Sequence, residues 1–73
     1  MTAPPLWLII YAKEMRQRGI GPCEFGVLVV RESARRIRGG DLETYFWQES
    51  LDSYEGISAI LRTWDVVEET ANA

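Results

Sequence analysis

Few residues in this chain could carry chemistry, and their types narrow the options before any fold is considered. There is no histidine, and Cys23 is the only cysteine. Ser-His and Cys-His nucleophile pairs are therefore excluded, as are the usual zinc ligand sets. A single cysteine also rules out an internal disulfide and fits a reducing compartment. Among the acids, Asp52 and Glu55 stand at capping-box spacing ahead of an apolar run, so Asp52 is placed to accept from free N–H groups at a helix start. Arg31, Arg35, Arg36 and Arg38 form the densest basic cluster, and Tyr45 and Trp47 follow it. Such a set could neutralise phosphates and stack on bases. Its plain alternative is a solubilising arginine strand on an acidic protein. No cofactor and no metal site is expected.

The charge is unevenly spread. The net value is -3, yet residues 1–40 carry seven bases against three acids, and residues 41–73 one base against eight acids. Such polarity suits head-to-tail self-association or a basic face for an anion, besides an ordinary solvated surface. With 47% apolar residues and eight aromatics, disorder is not expected. Residues 1–73 read as one small domain, for which oligomerisation is a common supplement to a limited core.

The elements that must position these residues are read from the apolar pattern. Leu6 to Ala12 is apolar on both faces, and its aromatic and β-branched content favours a strand over 5–12. Gly19-Ile20-Gly21-Pro22 is turn punctuation. Phe25 to Val30, with three valines, predicts a strand over 24–32. Arg31-Glu32-Ser33 reads as a turn into a third, polar strand over 34–42, ended by Gly39-Gly40-Asp41. Thr44 to Trp47 either extends that strand or folds as a loop over the core. Tyr54, Ile57, Ile60, Leu61, Trp64 and Val67 recur at helical spacing and predict a helix over 53–69. An all-helical alternative stands beside this reading, with Pro22 opening a second helix that ends at Gly39. The seven-residue apolar run near the start falls far short of the ~20 residues a membrane span needs. It also lacks the basic lead of a secretory signal. The expectation is a soluble, cytoplasmic protein without a membrane partner.

The order and punctuation of these elements resemble the start of ribonuclease H. Gly21-Pro22-Cys23-Glu24-Phe25-Gly26-Val27-Leu28 is similar to that family's Gly-Pro turn and second strand. Gly39-Gly40 is similar to the end of its third strand. Tyr54-Glu55-Gly56-Ile57-Ser58-Ala59-Ile60-Leu61 is similar to the helix that supplies a catalytic glutamate. The resemblance spans residues 6–68 through loose motifs in the right order. It implies an α+β fold, a three-stranded antiparallel sheet followed by one C-terminal helix, as half of a ribonuclease H-like domain. It also implies that most catalytic acids are missing. Lys13 stands where the family has its first aspartate, Glu14 and Met15 replace Gly and Ser, and only Glu55 falls on a catalytic position. Two-metal hydrolysis needs several carboxylates converging on ions ~3.5–4 Å apart. No enzymatic activity is expected, and Glu55 reads as a helix-capping acid.

In the resembled fold the first strand is central, so half a domain would leave it with a bare edge. Leu6, Trp7, Leu8, Ile9, Ile10 and Tyr11 carry no charge to protect such an edge. The expected function is a non-catalytic protein-interaction module working through that edge. A homodimer would pair the two first strands antiparallel into a six-stranded sheet, or a larger protein would add its own strand. The alternative is a nucleic-acid-binding remnant that uses the arginine-rich strand 31–38 with Trp47.

Overall fold

The computed structural model describes residues 3–50 and 52–72, and among them there is no strand. Four α-helices follow in order: α1 Leu6–Gln17, α2 Pro22–Arg38, α3 Leu42–Glu49 and α4 Asp52–Asn72. The expected three-stranded sheet and the half ribonuclease H-like architecture are thereby overturned. Residues expected as strands over 5–12, 24–32 and 34–42 lie mainly in α1, α2 and the start of α3, so among the described residues there is no sheet edge to recruit a partner. The helix expected over 53–69 lies within α4. Helix α2 follows the all-helical alternative, opening at Pro22 and capped by Gly39.

The helix boundaries have local causes. Pro5 holds an extended backbone ahead of α1, and its carbonyl accepts from the N–H of Leu8 at 3.0 Å. Helices α1 and α2 both end in a Schellman turn. The N–H of Gly19 donates to Arg16 O and that of Ile20 to Met15 O, each at 3.0 Å. The N–H of Gly40 donates to Ile37 O and that of Asp41 to Arg36 O, again at 3.0 Å. Both turns need a left-handed residue, which Gly19 (φ 79°) and Gly40 (φ 94°) supply without a Cβ clash. Pro22 at the first position of α2 gives up an N–H that would have been unpaired anyway. Glu24 in the first turn of α2 and Arg35, Arg36 and Arg38 in its last turn oppose the helix dipole favourably. Asp41 caps α3 by accepting from Thr44 N–H at 3.1 Å.

The core draws on all four helices. Leu8, Ala12 and Met15 from α1 meet Phe25 and Val29 from α2, Trp47 from α3 and Trp64 from α4. Ring contacts run from Trp7 to Tyr11, from Tyr11 to Phe25 and from Phe25 to Trp64, the last at 4.4 Å between centroids. Two indole N–H groups tie distant segments. Trp64 donates to Ile20 O at 2.9 Å, and Trp7 donates to Thr44 Oγ1 at 2.8 Å. Ile57, Ile60 and Leu61 face the core, as the helical spacing predicts, whereas Tyr54 is exposed. The side chain of Val67 lies outside the described residues.

Thr44 is fully buried, and its hydroxyl also donates to Asp41 Oδ2 at 2.8 Å. Thr44→Val would keep the shape but leave the Trp7 N–H without its acceptor. Denaturant unfolding is expected to show a loss of about 1–3 kcal/mol, with Thr44→Ser retaining more of the stability. An unchanged midpoint in Thr44→Val would show that this hydroxyl holds nothing together.

Candidate interaction surface

A helix sorts the six residues expected at a sheet edge into two classes. Leu8 is fully buried, and Trp7 and Tyr11 are half-buried against the core. Leu6, Ile9 and Ile10 point outward and remain 70%, 48% and 50% exposed. Their spacing, i, i+3 and i+4, puts them on one side of α1, followed one turn later by Lys13. Ile9, Ile10, Lys13, Arg16 and Gln17 line an open hollow of about 530 Å³ on this side. Arg16 also lies over the Trp64 ring at 5.3 Å, which fixes one wall of the hollow. The result is an apolar ridge with a basic end.

The arginines expected to form a polyanion site take two different roles. Arg36 is half-buried: its Nε donates to Glu32 Oε2 at 2.9 Å and its guanidinium lies 4.6 Å from the centre of the Trp7 ring. It is a packing element between α2 and α1. Arg35 makes a bidentate pair with Glu32, at 2.9 and 2.7 Å, though it remains mostly exposed. Arg31, Arg35 and Arg38 share one side of α2 and, with Tyr11 and Leu28, line an open groove of about 620 Å³. Trp47 is 1% exposed within the core, so it is not available to stack on a base.

Glu55 sits exposed in the first turn of α4. Of the residues that follow the family resemblance at its first strand, Lys13 and Glu14 are exposed and Met15 is part of the core. Among the described residues no three His, Cys, Asp or Glu side chains converge in a way that could hold a metal ion. No helix among them is long and apolar enough to cross a membrane.

Sequence reasoning missed α3 altogether, and with it a second exposed face. Leu42, Tyr45 and Phe46 are exposed, while Thr44 and Trp47 on the opposite side are buried. The signal was present in the spacing of Asp41 and Thr44, an N-cap and its acceptor's donor three residues on. Compared with protein-family models, curated proteins and solved structures, the chain matches none of them.

Two carboxylates have displaced acidities. The hydrogen bond from Arg35 holds Glu32 below the usual range, helped by Arg36 and partly opposed by burial. The Thr44 N–H and hydroxyl hold Asp41 below its ordinary value. A carboxylate with a lowered pKa in the folded state stabilises the fold above its unfolded pKa, and that contribution is lost as pH falls through the folded value. Thermal stability is therefore expected to fall below about pH 4, and Glu32→Gln and Asp41→Asn should each flatten that acid limb. An acid slope in both variants no flatter than that of the parent chain would show that other groups govern it.

Proposed function

We propose that this chain is a non-catalytic interaction module that docks an amphipathic helix of another polypeptide on the outward face of α1. The observation that carries the reading is the row of large apolar side chains, Leu6, Ile9 and Ile10, left in solvent by a helix whose opposite side already fills the core. A helix normally turns polar residues outward, and an apolar outer stripe marks a contact surface. Helix-in-groove recognition uses the i, i+3, i+4 and i+7 positions, which here are Leu6, Ile9, Ile10 and Lys13. The non-catalytic reading rests on composition, since a chain without histidine and with one cysteine has few routes to a nucleophile or a metal centre. Cys23 is exposed and unpaired, which suits a reducing, cytoplasmic setting.

A second reading, polyanion binding, draws on the groove lined by Arg31, Arg35 and Arg38. It is weaker because Arg35 is engaged by Glu32 and Trp47 has no access to a base. Salt-sensitive binding of labelled single-stranded nucleic acid, lost in Arg31→Glu, would put it first.

The docking reading is tested by titrating the labelled chain with amphipathic helical peptides of acidic, neutral and basic character. Amide shifts are expected at Leu6, Ile9, Ile10 and Lys13, strongest with the acidic peptide, and absent in Ile10→Glu. No shift with any peptide, or shifts confined to α2, would refute it.

A further inference from the structure

Resting on the docking reading, we infer that the occupant of the α1 face is the α3 face of a second copy of this chain. The two faces match in spacing and oppose in charge. On α1 one outward row is Leu6, Ile9, Ile10 and Lys13, with Glu14 and Gln17 exposed beside it; on α3 one outward row is Leu42, Tyr45, Phe46 and Glu49, with Glu43 and Gln48 exposed beside it. Each set runs i, i+3, i+4, i+7, with three apolar side chains followed by one charge. Leu42 and Phe46 are 65% and 63% exposed, comparable with Leu6 on α1. When two such helices lie side by side and parallel, the apolar rows interdigitate, and Lys13 of one copy comes beside Glu49 of the other. Antiparallel packing would set each charge against the partner's leucine instead, so charge selects the direction as well as the occupant.

Two further observations favour a second copy over an unrelated helix. Neither Lys13 nor Glu49 has an ion-pair partner among the described residues. The wider charge distribution agrees, because the first forty residues are net basic and the remainder net acidic. Copies therefore attract when the α1 end of one meets the α3 end of the next. The contact joins two different faces, so it is heterologous between any one pair of helices, and each copy can offer both faces.

The test uses the full chain and follows its mass in solution from micromolar to millimolar concentration. Assembly beyond a single chain is expected. Ile10→Glu and Phe46→Glu each place a charge in the apolar rows and should weaken assembly by about 100-fold or more. Both positions are exposed, so circular dichroism and thermal unfolding should confirm that these variants fold. Lys13→Glu and Glu49→Lys alone should each weaken assembly about fivefold to tenfold. Mixing those two variants, or combining both changes in one chain, should restore it, because every α1–α3 contact regains opposite charges. Four outcomes would overturn the inference: a single-chain mass throughout, assembly indifferent to Ile10→Glu, assembly indifferent to Phe46→Glu, or no rescue by the charge swap. A single-chain mass together with peptide binding at Ile10 would remove the second copy and leave the docking reading standing. Assembly indifferent to Ile10→Glu, together with no peptide-induced shift at Ile10, would remove both.

Discussion

The Thr44 hydroxyl is the junction on which the arrangement of the first three helices depends. It is fully buried, accepts the Trp7 indole N–H from α1 and donates to the carboxylate of Asp41 at the corner between α2 and α3. A hydroxyl has one proton to give and two lone pairs to receive, so this use of both functions is close to saturation. Because Trp7 must reach Thr44, the rotation of α1 about its own axis is set. Once Trp7 faces α3 and Leu8, Ala12 and Met15 face the core, helical geometry leaves Leu6, Ile9 and Ile10 on the outside. The exposed ridge is thus a by-product of a buried polar contact. Arg36 reinforces the same setting by lying over the Trp7 ring while held by Glu32.

That geometry also explains which parts of the fold were legible. The stripe Ile57, Ile60, Leu61 and Trp64 is apolar on one side only, and periodicity found α4 directly. Helix α1 is apolar on its inner and outer sides, so its period is erased, and a short run without period reads as a strand covered on both faces. The residues that caused the error are the ones that form the exposed ridge. In α2, Val27, Val29 and Val30 suggested a pleated surface, yet only Val29 is buried, and the other two are exposed on a helix. Local β preference gave way to end signals, Pro22 at the start and Gly39-Gly40 at the finish, which define a seventeen-residue helix. In sequence, those same glycines and that proline read equally well as turn and strand-end punctuation. A Gly-Pro pair marks a boundary without saying what lies on either side.

The candidate surface was legible in part. Leu6, Ile9 and Ile10 read in sequence as unprotected apolar residues, and they are exposed, although the cause is an outward helix face and not a sheet edge. Leu42, Phe46 and Glu49 were invisible because α3 is only eight residues long and lies between Asp41, read as the end of a strand, and Ser50. A short aromatic stretch without a recognised cap has no assignable face. The arginine cluster was visible as a cluster, but sequence could not separate Arg36, which packs on an indole, from Arg31 and Arg38, which do not.

The hydrogen bond from Trp64 to Ile20 O joins residues 44 positions apart, while the helices and their Schellman corners are made from near neighbours. Loop-closure entropy rises with the length enclosed, so this bond is among the costliest in the chain to bring together. The first three helices are joined by short connections, and the ring of Phe25 lies between Tyr11 of α1 and Trp64 of α4. Helix α4 therefore closes the widest loop of the fold, and Trp64 fastens its far end to the corner between α1 and α2 through a single carbonyl.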